Sequence, residues 1–340
     1  MASGFQQPER MEELPCPGRV AVIGGGPSGL GCAVALRRLG HIVHLFDRAS
    51  TLGGLMDQVI PAFRLPHQVV NHEFARLSQL GIHFSLGEEI DARSAGRLLQ
   101  EYDALFLGIG LSRSVTLSIP GVELPGVMSA LDFLQLARLY SRGDVPPPAL
   151  GQCVAVLGGG NVALDAATVA KRLGAERVVV LYRRTMNEMP AWRSEYLEAS
   201  SLGAEFRWLS TIKAIKGHEG KVQAVEVQPM RLTSVQMDGR RGVEPDPRAA
   251  SYGLPCDGVL LALGQALDEE LAGALGLSTA TAGTILVNPE TFQIDQSQIF
   301  AGGDAVNGSA TVVQAIAQGM AAGRAIHDWL SNQGGRDERS

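Results

Sequence analysis

Clustered cysteine is missing from this chain. Its four cysteines, Cys16, Cys32, Cys153 and Cys256, stand far apart, so there is neither a Cys-x-x-Cys redox pair nor a zinc or iron–sulfur ligand spacing. Isolated reduced thiols of a cytoplasmic protein are expected, with no resident metal. Long apolar runs are missing too. No stretch reaches the roughly 18 residues of a membrane span, and Met1–Gly18 carries acids where a signal peptide would be apolar. Nor is there a long Lys/Arg run, and the formal net charge is −6, which argues against an electrostatic nucleic-acid binder.

Glycine, by contrast, is abundant: 41 against 17 prolines, with no collagen-like period. The balance of 45% hydrophobic and 19% charged residues over 340 positions is that of a globular chain with room for about two domains. Glycines at this density mark turns where the backbone comes close to something, and phosphate is the first candidate.

The order of elements supports that. Arg19–Ile23 is a short β-branched run stopped by Gly24-Gly25-Gly26, hence a buried strand. Helical spacing follows from Ser28 to Gly40, and His41–Phe46 is the next strand. This is a βαβ unit with parallel strands. The pattern returns: strand Val154–Leu157, turn Gly158-Gly159-Gly160, helix Val162–Leu173, strand Arg177–Tyr182. Between Glu205 and Leu263 short strand-like runs alternate with charged turns, which reads as a β-meander, with Gln236–Tyr252 a solvated loop. The last ten residues, Ser331–Ser340, read as a polar tail.

Gly24-x-Gly26-x-x-Gly29 stands where a phosphate-binding turn must, between a strand and a helix. Its glycines serve the turn, the approach of a pyrophosphate, and helix–strand packing. Alone the motif is weak, but Asp47 closes the next strand about 20 residues on, where a carboxylate holds ribose hydroxyls. The second copy is Gly158-x-Gly160-x-x-Ala163, and its second strand is followed by Tyr182-Arg183-Arg184. Guanidinium groups pair with a 2′-phosphate that a carboxylate would repel. The first turn therefore suits an unphosphorylated ADP moiety and the second suits NADP. Near the C-terminus, Ile299–Asp304 is a strand ending in Gly-Asp, and Thr311-Val312-Val313-Gln314 opens an apolar helix running through Ile326. That helix start can aim its positive end at a flavin ring.

With these motifs in hand the chain resembles the flavoprotein module of the glutamate synthase small subunit, over about Arg19 to Leu330. Further carriers of the resemblance are Gly53-Gly-Leu55, Ile60-Pro-Ala-Phe-Arg64-Leu-Pro66, Ile119-Pro-Gly121, Glu188-Met-Pro-Ala191, Gly264-Gln265 and Gly302-Gly-Asp304. The resemblance implies an α/β fold of two Rossmann-like dinucleotide-binding domains in a glutathione-reductase-like arrangement with β-meanders. It implies a tail over 1–18, an FAD-binding domain in two pieces (19–112 and 263–330), an NADP-binding domain over 113–262, and a tail over 331–340. FAD is expected on Gly24, Gly26, Pro27, Ser28, Gly29, Asp47, Arg48, Gly54, Leu55, Arg64 and Ile90, and on the crossover Gly108-Ile-Gly110. Gly303, Asp304, Thr311, Val312 and Val313 are expected to close that site. The nicotinamide nucleotide is expected on Gly158, Gly160, Asn161, Val162, Asp165, Arg183, Arg184 and Gln265.

Two departures stand out. The crossover motif usually begins with Ala and here begins with Gly108. Relatives usually carry an N-terminal cysteine-rich extension holding two iron–sulfur clusters, whereas Met1–Gly18 has only Cys16. Hydride transfer between stacked nicotinamide and flavin needs orientation more than a general acid, so no catalytic side chain is assigned. The expectation is an electron-transfer subunit of an NADP(H) oxidoreductase. Its outlet would be an iron–sulfur partner subunit or a ferredoxin, for instance in a 2-oxoacid oxidoreductase or glutamate synthase-like complex. The alternatives are a free-standing NADPH reductase of a small or soluble acceptor, and a non-catalytic nucleotide-binding protein.

Overall fold

The computed structural model describes residues 17–235, 239–280, 283–295 and 297–337. Residues 1–16 of the expected N-terminal tail, with Cys16, lie outside them, as do 236–238 of the expected loop and 338–340 of the C-terminal tail.

The chain opens with β1 (Arg19–Ile23), α1 (Pro27–Arg38) and β2 (Ile42–Asp47). Proline is tolerated in the first turn of α1, whose N–H groups have no partner within the helix anyway. Then come α2 (Leu55–Gln58), α3 (His67–Ser78), β3 (His83–Leu86), α4 (Ala92–Glu101) and β4 (Ala104–Leu107). Past β5 (Arg113–Ser114) lie β6 (Val127–Ser129) and α5 (Ala130–Arg142), then β7 (Cys153–Leu157), α6 (Asn161–Arg172) and β8 (Arg177–Tyr182). They are followed by α7 (Arg193–Ser201), β9 (Glu205–Trp208), β10 (Ser210–His218), β11 (Lys221–Val235), β12 (Arg241–Pro245), β13 (Tyr252–Pro255) and β14 (Gly258–Leu261). The last stretch holds β15 (Gln265–Ala266), α8 (Glu269–Ala274), β16 (Ile299–Ala301), α9 (Asp304–Asn307) and α10 (Val312–Asp337).

These elements form two compact units. The first comprises Met1–Asp57, Leu65–Arg113 and Ala266–Ser340; the second comprises Gln58–Arg64 and Ser114–Gln265. In the first unit a five-stranded parallel sheet has the order β16-β4-β1-β2-β3. Alternate residues of β1 and β4 enter opposite cores, Val20, Val22 and Phe106 on one face and Ala21, Ile23 and Leu107 on the other. Burial on both faces is why these strands read as unbroken apolar runs rather than alternating ones. In the second unit the parallel order is β6-β14-β7-β8-β9. A separate antiparallel sheet of β10, β11, β12 and β13 packs apolar residues such as Ile212, Val225 and Val227 against Val179 and Leu181.

Four expectations need correction. β9 and β14 belong to the parallel sheet, not to the meander. Part of the expected loop Gln236–Tyr252 is strand: β12 pairs with β11 through Leu232↔Val243 and Met230↔Pro245, because cross-strand partners satisfy backbone groups that charge patterning alone left unassigned. The expected C-terminal tail is helical as far as Asp337, since α10 runs on past Ile326. Finally, residues 58–64 leave the first unit for the second. Arg138, buried in the second unit, donates to the Ile60 carbonyl at 2.7 Å and draws that segment in.

Candidate functional site

In both units the chain winds outward from a central strand in one direction and then returns to its other side. β1 lies between β2 and β4, and β7 lies between β8 and β14. Each arrangement leaves a switch point at the carboxyl end of the central strand, the place where open α/β sheets bind ligands.

The first glycine turn fills that place in the first unit. Gly24 has φ +104°, and a Cβ there would lie 2.4 Å from the Gly108 carbonyl oxygen at the end of β4. A Cβ on Gly29 would lie 1.8 Å from the Gly24 oxygen, so α1 packs on β1 only because position 29 has none. Gly26 is different. Its backbone is extended (φ −75°, ψ −179°) and only one protein atom, 4.0 Å away, would meet a Cβ. No side chain caps α1, so its first N–H groups face open space. A glycine gap in front of uncapped amides fits a pyrophosphate.

Around it, Asp47 accepts from Gly25 N at 2.5 Å and from Ala49 N at 2.7 Å. A carboxylate has about four lone-pair directions, so acceptor capacity remains for ribose hydroxyls. Asp47 lines a cavity of about 400 Å³ together with Gly24, Phe46, Arg48, Glu88 and Ile90. Gly54 lies beside Gly26, with Leu55 starting α2. Gly110 (φ +61°) has no protein atom against it. Ile109 of the expected crossover lines the cavity too, and so do Phe46, Glu88 and Ser112, which were not foreseen; strand order, which no local motif encodes, brings them there.

The C-terminal elements come to the same turn. α10 packs flat on α1, so that a Cβ at Gly319 would strike Ser28 O at 1.9 Å. Ser28 Oγ donates to Gly302 O at 3.4 Å, and Gly303 N donates to Gln318 Oε1 at 2.6 Å. Asp304 accepts from Ala310 N at 3.0 Å, and burial pushes its carboxyl up. Thr311 and Gln314 hydrogen-bond each other at the head of α10. Val312 follows partly buried, while Val313, 75% exposed, is an apolar side chain left open at a helix start.

The second turn repeats the first. Gly158 has φ +147°, and a Cβ would lie 2.3 Å from Ala262 O, the counterpart of Gly108 O. Ala163, in place of the third glycine, is fully buried. Gly160, again extended (φ −88°, ψ 174°), has no protein atom within 4 Å of a Cβ, and α6 has no side-chain cap. Asn161 and Val162 open α6, and Asn161 Oδ1 accepts from Trp192 N at 3.1 Å. Gln265 Nε2 is buried without a hydrogen-bond partner among the described residues, an orphaned donor of the kind a ligand satisfies.

The two arginines are not equivalent. Arg183 is exposed, and among the described residues it makes no hydrogen bond or ion pair. Arg184 is only 8% exposed and its Nε donates to the Arg241 carbonyl at 2.8 Å. Sequence pattern gave them one role; their burial separates them.

Arg64 and Asp165, expected on different nucleotides, pair with each other in the second unit. Arg64 also lies 3.8 Å from Glu195 and 3.3 Å from Glu198, and Arg172 lies 2.8 Å from Glu198. Burial pushes the Asp165 carboxyl up, and Arg64 offsets only part of that. This cluster anchors residues 58–64; its members are mutually engaged.

Two Rossmann-like sheets, each with an open glycine turn at its switch point, define a two-nucleotide oxidoreductase of the flavoprotein class. The chain belongs to the pyridine nucleotide-disulphide oxidoreductase family, whose model matches residues 18–319, and within it to the glutamate synthase small-chain group. It is 37% identical over 322 residues to the "Glutamate synthase [NADPH] small chain" of Halomonas elongata, covering 92% of this chain and 68% of that one. It is 35% identical over 315 residues to the "NADP(+)-dependent formate dehydrogenase subunit beta" of Moorella thermoacetica, but spans only 44% of that protein's length. Among solved structures, Mycobacterium tuberculosis FprA in complex with NADPH superposes with a TM-score of 0.81 at 20% identity, covering 95% of this chain and 86% of that one. The protein is an NAD(P)H-dependent flavoprotein oxidoreductase with FAD and NADP(H) as cofactors. Among the described residues no helix is long and apolar enough to cross a membrane.

Proposed function

We propose that this chain is an electron-transfer module that exchanges electrons between NADP(H) and the iron–sulfur clusters of a partner subunit or ferredoxin. The observation that carries the reading is the pair of like-built glycine turns with unlike neighbours. Asp47 stands after the first, and an exposed Arg183, unpaired among the described residues, stands after the second. FAD would sit on the turn Gly24–Gly29, with its pyrophosphate before α1 and a ribose at Asp47. Gly303, Asp304 and the head of α10 would orient the flavin end. NADP(H) would sit on Gly160–Val162, with Arg183 at the 2′-phosphate and Gln265 Nε2 donating to the nicotinamide end. When bound, the flavin supplies a relay between a two-electron nicotinamide and one-electron carriers. The protein's own groups position the two nucleotides. The uncapped amides hold anions, and the dipole of α10 favours negative charge at its start. The names of the relatives, a small chain and a subunit beta, support a component of a larger assembly.

The test is an anaerobic titration of the FAD-loaded protein with NADPH, followed by addition of oxidised ferredoxin. Bleaching of the flavin absorbance at about one equivalent, reversed by ferredoxin, is expected. A flavin reoxidised by quinones or dyes but not by ferredoxin would favour a free-standing reductase. A bound flavin that NADPH fails to bleach would refute the direct exchange.

A further inference from the structure

The motif Glu188-Met-Pro-Ala191 holds neither nucleotide in the proposed function, yet it is fastened to the second glycine turn. The Tyr182 ring lies against Gly159, where a Cβ would meet it at 2.4 Å, and the Tyr182 hydroxyl donates to Glu188 O at 2.9 Å. Ala191 N donates to Gly159 O at 3.3 Å, and Trp192 N donates to Asn161 Oδ1 at 3.1 Å. Asn161 is the first residue of α6, the helix whose uncapped start faces the open space at Gly160. Ala191 is buried, but Trp192, the next residue, is 60% exposed. The other two tryptophans are partly buried, Trp208 stacked on Phe206 and Trp329 edge-on to Phe300. A backbone bonded to the turn at consecutive residues thus carries an indole left in water to the rim of the nucleotide turn.

Strand order tells which part of a nucleotide the indole meets. β7 lies between β8 and β14. Gln265, with its orphaned Nε2, follows β14 and marks the nicotinamide side. Arg183 and the loop carrying Trp192 both follow β8 and mark the adenosine side. We infer, resting on the NADP(H) reading of this turn, that the Trp192 indole stacks on the adenine of the nucleotide. A planar base offers a π face to the ring and covers apolar surface that now lies in water. The bonds to Gly159 and Asn161 hold the backbone of Trp192 before the ligand arrives, which lowers the ordering cost of the contact. Trp192 is then a binding residue blind to the 2′-phosphate, because adenine is common to NADP and NAD; discrimination between the two stays with Arg183.

The experiment measures dissociation constants for NADP⁺, NAD⁺ and 2′,5′-ADP on the FAD-loaded full chain and on its Trp192→Ala and Trp192→Phe variants. Trp192→Ala is expected to weaken all three ligands by the same factor, about fivefold to tenfold, the lower end of base–aromatic stacking. Trp192→Phe keeps a stacking face and is expected to recover most of that loss. Urea unfolding midpoints of the nucleotide-free variants are expected to match wild type, since the ring packs on little of the protein. Binding of 2′,5′-ADP is expected to quench part of the wild-type tryptophan emission, and that change should be missing from Trp192→Phe. Unchanged affinity for 2′,5′-ADP in Trp192→Ala would overturn the inference, as would a loss confined to NADP⁺ or a phenylalanine variant no better than alanine. Intact nucleotide binding with reoxidation by ferredoxin abolished would make the indole a partner contact and overturn it too. Failure of the underlying reading has a separate signature: Gly160→Ala leaving the affinity for all three ligands unchanged. That result removes the nucleotide from this turn and overturns both.

Discussion

Gly160→Ala separates ligand binding from folding in this protein. At most glycine turns the substitution is uninformative, because the alanine cannot be accommodated at all. Gly158→Ala would be such a case: φ is +147° and the Cβ would lie 2.3 Å from Ala262 O. Gly160 has extended dihedrals that any residue adopts, and no protein atom lies within 4 Å of a Cβ. Its replacement should therefore leave the nucleotide-free protein intact, or stabilise it by about 0.4–1 kcal/mol through the lost freedom of the unfolded chain. The methyl group projects into the space before the uncapped start of α6. A phosphate pushed off one amide there loses a hydrogen bond to a charged group, about 1.5–3 kcal/mol, which corresponds to a roughly 10- to 150-fold rise in Kd. The assay pairs NADP⁺ titration of the FAD-loaded variant with urea unfolding of the nucleotide-free protein. An unfolding midpoint at or above wild type together with the rise in Kd is the expected outcome. Unchanged NADP⁺ affinity would refute the placement of the phosphate at this turn, and Gly26→Ala repeats the test for FAD content in the first unit.

Arg183→Ala should raise the KM for NADPH by about tenfold or more, the value of a charge-assisted pair, and leave that for NADH nearly unchanged; Arg184→Ala should instead lower stability by about 1–3 kcal/mol by stripping the Arg241 carbonyl of its donor, as read by urea unfolding. Arg64→Met leaves Asp165, Glu195 and Glu198 without their shared cation and should destabilise by about 3 kcal/mol at pH 7. Because burial pushes the Asp165 and Glu195 carboxyls up, they take up protons as pH falls, so the deficit should shrink towards pH 5. An unfolding midpoint whose deficit is independent of pH would contradict that account. His41 is 2% exposed, its Nδ1 accepts from Gly18 N at 3.1 Å, and its Nε2 lies 2.9 Å from His327 Nδ1. Burial and then His327 push its pKa down, so the folded state favours neutral imidazole. Its stabilising contribution is complete above the unfolded value of about 6.5 and is lost as pH falls below it, with Tm falling on acidification and falling less in His41→Gln.

Both βαβ units were legible in the sequence because their signals are local. A strand, a glycine turn and a helix lie within about 30 residues, and β-branched runs buried on both sheet faces look apolar throughout. The acid after one copy and the arginines after the other were equally plain, since each follows its strand directly. What local pattern could not settle was the partner of a side chain. Arg64 and Asp165 lie 101 positions apart, and nothing in either neighbourhood tells that residues 58–64 cross to the second unit. Arg183 and Arg184 are identical in type and adjacent in sequence. One faces outward and the other is buried because successive side chains leaving a strand point to opposite sides, and only β12, folding back to offer the Arg241 carbonyl, decides which of them is spent on structure. Glu188 caps its own short turn through Thr185 three residues before it, a local Thr-x-x-Glu signal. The sequence by itself determined the class of fold and the two glycine turns, through propensity and pattern within short windows. Which charges remain free to meet a ligand was decided by tertiary structure, because pairing and burial depend on segments that the chain brings together from far apart.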